Sequence, residues 1–144
     1  MSPDLQVRRR VRQQLDQRPY LIEQEWIEQY CQPEGIAVPI ALFAYVHLQQ
    51  YSGLEIGRVR LTDRLEADLH WSQICWFDWM FTLSQDFWQS FAIDIEELLH
   101  DSDFDTVGDL LSFLSGRWTA HIADTEDTEQ SEQGRIEKFP TQEV

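Results

Sequence analysis

Lysine and arginine are scarce in this chain, and cysteine nearly so. There are 11 Lys/Arg against 26 Asp/Glu, a formal net charge of −15. From Leu65 to Gly116 there are eleven acids and no Lys or Arg. A surface of that sign repels phosphate backbones, so direct nucleic-acid binding is not expected. The two cysteines, Cys31 and Cys75, form no CxxC or zinc-ligand spacing. Two isolated thiols fit a reduced, cytoplasmic setting better than a disulfide framework. No apolar run approaches the ~18 residues a membrane-spanning helix needs. The arginines near the N-terminus are not followed by an apolar stretch, so no secretory leader is expected. Glycine-rich phosphate loops, HExxH spacings and nucleophile elbows are also missing. Among the four histidines, His100 beside Asp101 and Asp103 offers a cation little more than solvated acids, so no metal site is expected. The paired carboxylates Glu96 and Glu97 fall in a short helix expected to be exposed, a poor setting for acid catalysis, so the protein is read as a non-enzyme.

What remains is rich in apolar material. Hydrophobic residues make up 42% of the 144 positions and aromatics 12%, enough for one globular domain with extensions. Residues 1–35 read as an N-terminal helical extension. "LQVRRRVRQQLDQR" places Leu5, Val11 and Leu15 at helical spacing in a basic amphipathic segment. Arg8, Arg9, Arg10 and Arg12 are expected to project from it, loosely tied to the body and open to a partner. A second helix follows Pro19, with Ile22, Trp26, Ile27 and Tyr30 as its stripe and Pro33 and Gly35 as its end. A third covers about Val38–Gln50, with Leu42, Tyr45, Val46 and Gln49 in phase. A loop rich in turn residues then extends to about His70.

From Trp71 to about Phe91 the pattern predicts one long helix with Ser72 as its N-cap. Trp76, Phe77 and Trp79 alone would span about 300° of such a helix, so some aromatics must face another element or solvent. "IDIEELLHDSDFD" suggests a short helix and a turn. Val107, Leu110, Leu111 and Leu114 then form a compact apolar face, with Asp109 in the first turn where the helix dipole favours an acid. After Asp124 the chain is polar and acidic, and 124–144 reads as a disordered tail. The fold class is therefore all-α.

The block from Leu61 to Leu114 resembles acyl carrier proteins. "LTDRLEADL" is similar to the phrase before that family's second helix, and "TVGDLLSFL" resembles its last helix. The family's D-L-G-x-D-S-L motif falls without gaps on Asp68, Leu69, His70, Trp71, Ser72, Gln73 and Ile74. The resemblance implies a four-helix carrier-like bundle, here over residues 36–118. In the family the motif serine carries a phosphopantetheine arm. Gln73 stands at that position and has no hydroxyl to receive it. Ser72 lies one residue early and is the alternative attachment point; without that modification no cofactor is expected. The implied function is a non-catalytic interaction or adaptor module. Its partner-facing residues would be Trp71, Gln73, Trp76, Asp78, Trp79 and the four arginines. The charge implies a protein partner with a basic surface and an apolar pocket. A homodimer, or an acidic immunity-type inhibitor of a basic enzyme, would share these features.

Overall fold

The computed structural model describes residues 2–99 and 104–138, with the side chains of the last helix as far as Asp124. The chain is helical, and among the described residues it holds no strand. Nor is any described helix long and apolar enough to cross a membrane.

Helix α1 spans Leu5–Leu15. Asp4 caps it, its carboxylate accepting from the backbone N–H of Gln6 at 3.0 Å and Val7 at 3.2 Å. The buried stripe is Val7, Val11 and Leu15, spaced i, i+4, i+8. Leu5 is 67% exposed, because two residues before Val7 is about 200° away around the helix. The helix is anchored to the body. The Asp4 N–H donates to the Gln73 carbonyl at 2.7 Å, and the Arg8 guanidinium donates to the Ile74 carbonyl at 2.6 Å. The loosely tied segment expected from the charge contrast is thus a packed element.

Helix α2, Glu23–Trp26, continues into a π-helical turn over Ile27–Cys31 and a 3-10 turn over Gln32–Glu34. Trp26, Ile27 and Cys31 are buried. The Trp26 indole N–H donates to the Val59 carbonyl at 2.8 Å, so burial of this ring leaves no polar group unpaired. Helix α3 is Val38–Ser52. It buries Ile40, Ala41, Phe43, Ala44, Leu48 and Tyr51, whereas Leu42 and Val46, expected inside, are 40% and 44% exposed. The helix is apolar on almost every side, so periodicity does not select its inner face. Ala41 and Ala44 let neighbours approach on the face that is used.

Residues 53–70 contain no long helix, yet Leu54, Ile56, Val59, Leu61, Leu65 and Leu69 are all buried. Arg18 holds this segment to the N-terminal arm. Its Nη1 lies 2.7 Å from Asp63 Oδ2 and its Nη2 3.0 Å from Oδ1, a two-pronged pair. Asp63 also accepts from the Arg60 N–H at 2.8 Å, and Arg18 donates to the Arg58 carbonyl at 3.0 Å. Arg18 is raised above the usual arginine value, chiefly by its bonds to Asp63.

The single long helix expected over 71–91 is two. Helix α4 is Trp71–Ile74 and helix α5 is Trp79–Phe91. The break follows Cys75, whose backbone is extended at φ −103°, ψ 164°. Trp71 and Trp79 flank the break and both lie in the core, where their rings meet edge to face at 5.9 Å. Ser72 is not the N-cap. His70 precedes α4 in a left-handed conformation (φ 53°), and the Glu66 carboxylate supplies the capping acceptor. It accepts the Ser72 N–H at 3.1 Å and the Ser72 hydroxyl at 2.8 Å.

Helix α5 ends on Ala92 at φ 58°, whose N–H donates to the Trp88 carbonyl. A β-carbon costs about 1 kcal/mol or more in that region, and glycine avoids it. Ala92→Gly is accordingly expected to stabilise the fold by about 0.5–1 kcal/mol, read as a raised melting temperature; a lowered one would contradict the assignment. A 3-10 turn over Glu96–Leu98 follows. Helix α6 is Val107–Lys138. Thr106 and Asp109 cap it reciprocally. Asp109 accepts from the Thr106 N–H at 3.1 Å and donates its own N–H to the Thr106 hydroxyl at 3.0 Å. The Thr106 and Asp105 N–H groups, both donated to its carboxylate, hold the Asp109 carboxyl below its ordinary value.

Val107, Leu110, Leu111 and Leu114 are buried together, as their spacing predicts. Ser115 Oγ accepts the Ala37 N–H at 2.9 Å and fixes α6 to the start of α3. The backbone of 124–138 is helical where a disordered tail is expected. Its Glu, Gln, Arg and Lys residues are good helix formers, so polarity alone did not end the helix. Residues 139–144 of that expected tail lie outside the described residues.

Candidate functional site

The α4–α5 break determines which aromatics reach solvent. Residues 75–78 form a short link, and the two rings on it point outward: Trp76 is 55% exposed and Phe77 72%. On α5, Phe81 and Trp88 stand seven residues apart, within about 20° of each other around the axis. They are 49% and 55% exposed. The opposite side of α5 carries Leu83 and Phe87, both fully buried, and Phe87 meets Phe43 edge to face at 5.5 Å. Four large aromatics thus remain on one outer segment after the core has taken its share. Each forfeits part of the ~1.5–3 kcal/mol that full burial would supply.

The expected partner residues divide. Trp76, Gln73 and Asp78 are exposed. Trp71 and Trp79 are 1% and 8% exposed and belong to the core, so their inclusion in a contact surface is corrected. Arg8 is likewise corrected. Its guanidinium is turned inward onto the Ile74 carbonyl, and its Nε is buried without an acceptor. Arg9, Arg10 and Arg12 are exposed on α1. Phe77, Phe81 and Trp88 complete the aromatic face and were missed at those positions. Their signal was available, since Phe81 and Trp88 lie opposite the Leu83 and Phe87 stripe.

Charge reinforces the pattern. Asp78 adjoins Phe77, and Asp94, Glu96 and Glu97 follow α5, all exposed. No cation lies between Leu65 and Gly116 to neutralise them.

Other chemistry is poorly supplied. Burial pushes the thiols of Cys31 and Cys75 up to about 12, so neither is a ready thiolate. No group of three or more His, Cys, Asp or Glu side chains that could hold a metal occurs among the described residues. The weighed trio of His100, Asp101 and Asp103 lies outside them. A cavity of about 630 Å³ opens between the π turn and the start of α6, beside Tyr30, Arg60, Arg64 and Ser112. Its acids are partly engaged: Asp109 caps the helix, and Asp105 faces Arg64 at 3.7 Å.

No family model, curated protein or solved structure matches the chain.

Proposed function

We propose that this is a non-catalytic, acyl-carrier-like module that has lost its arm-bearing serine and binds a protein partner through the outer face of the α4–α5 segment. The observation that carries this reading is the exposure of Trp76, Phe77, Phe81 and Trp88 in a stretch whose only charges are acidic. Exposed aromatics of this density are typical of interaction surfaces, where Trp and Tyr dominate binding energy. The partner's matching surface is basic and offers apolar pockets. The carrier-like element is supported by helix order: α3, the long loop, the α4–α5 pair, a one-turn helix, then α6. Loss of the arm is supported by Gln73 at the motif position and by the Ser72 hydroxyl, which is donated to Glu66.

The test has two arms. A partner recovered by pull-down from the source cells is measured by calorimetry against the native chain and the Trp76→Ala/Phe77→Ala/Phe81→Ala variant. The variant is expected to bind at least ~30-fold more weakly, the loss of one strong hot spot of about 2 kcal/mol, with an unchanged melting temperature. Equal affinity would overturn the assignment of the surface. In the second arm the protein is incubated with a phosphopantetheinyl transferase and coenzyme A. A mass gain of one phosphopantetheine on Ser72 would restore the true carrier and overturn the loss of the arm.

A further inference from the structure

We propose that the hollow beside Trp88 is a receptor for one arginine side chain of the partner. The proposal rests on reading α5 as the partner-facing helix and adds the chemistry of the contact. The turn at Ala92 folds the chain back, so that Asp94 and Glu96 come beside the last turns of α5. The result is a cavity of about 300 Å³ lined by Ser84, Gln85, Trp88, Gln89, Asp94 and Glu96.

Its chemistry is one-sided. The Ser84 hydroxyl is already given to the Phe81 carbonyl at 2.7 Å. One oxygen of Asp94 accepts the Glu96 N–H at 3.1 Å, which orients that carboxylate, and among the described residues its second oxygen has no hydrogen-bond partner. Glu96 and the two glutamine amides add further acceptors. The remaining wall is the half-exposed indole of Trp88. A hollow lined by an indole, two carboxylates and two side-chain amides suits a planar cation rich in donors. A guanidinium has five N–H groups in a rigid fork and stacks on indole. An ammonium lacks the plane, and a neutral side chain forgoes both the ring quadrupole and the carboxylates. Any cation that fills the hollow comes from outside this segment, because none lies between Leu65 and Gly116. A second copy of the chain carries exposed arginines on α1, but a net charge of −15 on each copy opposes their approach. A different, basic protein is the occupant that the charge favours.

The probe is N-acetyl-arginine amide, titrated into the native chain at low ionic strength. The readout is the indole N–H resonance of Trp88, assigned by its absence in Trp88→Phe. It is expected to move saturably, together with the side-chain amides of Gln85 and Gln89. The neutral isostere N-acetyl-citrulline amide should leave it unmoved. Asp94→Asn/Glu96→Gln should weaken the arginine titration at least tenfold while keeping the melting temperature, since asparagine still accepts the Glu96 N–H. Three results would overturn the proposal: a citrulline shift equal to that of arginine, an equal shift from N-acetyl-lysine amide, or no loss in the double variant. Movement of the resonance on dilution of the protein alone would assign the hollow to a second copy and also end it. Failure is separable from that of the interaction-module reading. A partner lost by the Trp76/Phe77/Phe81 variant together with an unresponsive Trp88 removes the hollow and keeps the module. A responsive Trp88 with no effect of that variant on the partner does the reverse.

Discussion

Removal of residues 1–18 is expected to lower stability by about 5 kcal/mol or more, and by nearly the same amount in low and high salt. Val7, Val11 and Leu15 are each under a tenth exposed, and burying such side chains stabilises by ~1.5–3 kcal/mol apiece. The truncation also removes Arg18 and leaves Asp63 inside without its two-pronged partner. A carboxylate stranded in that way costs more than the pair contributes when intact. Arg8 leaves too, and with it the bond to the end of α4. Apolar burial is not screened by ions, so the salt dependence of the loss should be small. Melting curves of the full chain and of 19–144, each in low and high salt, measure it directly. A fall of roughly 15–20 °C is expected for a protein of this size. Melting points within a few degrees of each other in both salts would show α1 to be dispensable. A loss confined to low salt would show it to be held by charge.

That prediction also marks where residue spacing was informative. The existence of α1, α3, α5 and α6 follows from periodicity, because each has a run long enough to display one. The inner face of α6 was legible, because Gly108, Asp109 and Ser112 set off Val107, Leu110, Leu111 and Leu114 as a stripe, with Phe113 beside it partly buried. The inner face of α3 was not, since Val38, Leu42 and Val46 are as apolar as the residues that went inside. A helix this apolar can turn more than one face inward, and packing makes the choice. The α4–α5 break was hidden for a related reason. Neither proline nor glycine marks it, and the packing of the Trp71 and Trp79 rings on either side of it is tertiary, beyond the reach of spacing. Because the break was hidden, so was the allocation of aromatics. A surplus was countable from the sequence, but which rings formed it depended on where the helix restarted. Ser72 illustrates the limit at a single residue. Its type fits a cap, yet Glu66, six residues earlier, provides the capping acceptor through a turn that spacing does not reveal.

Charge was similarly half legible. The contrast between a basic first segment and an acidic body is real, but the Arg18–Asp63 pair is the one place where it joins the two among the contacts described above. Only Arg8 and Arg18 of the five arginines turn inward onto the body, one to a backbone carbonyl and one to Asp63. The exposed Arg9, Arg10 and Arg12 and the exposed acids after α5 remain for solvent or for other molecules. Exposed pairs contribute ~0–1 kcal/mol each, so evolution of this surface is free to follow recognition instead of stability.

Gly57→Ala should be as damaging as a core truncation, although it adds one methyl. Gly57 sits in the 3-10 turn Ile56–Arg58, where the arm before α2 crosses the long loop. A β-carbon there would collide with the Leu21 carbonyl oxygen and stand 2.9 Å from the Tyr20 ring and 3.0 Å from the Tyr45 hydroxyl. The first of these is backbone and cannot swing aside. The Leu21 N–H donates to the Gly57 carbonyl at 3.0 Å, and Tyr45 donates to the Leu21 carbonyl at 2.9 Å. Pushing the strands of chain apart therefore breaks both bonds and loosens the loop that receives the Trp26 indole at Val59. The expected loss is about 3 kcal/mol or more, at the upper end of overpacking effects. Gly116→Ala is the matched control: it lies within α6, and a β-carbon there meets nothing within 4 Å. Helix propensity predicts a gain of up to about 1 kcal/mol at that position. Urea unfolding of both variants settles the comparison. If Gly57→Ala unfolds within about 0.5 kcal/mol of the native chain, the close crossing of Leu21 over Gly57 is wrong, and with it the anchoring of the N-terminal arm to the loop.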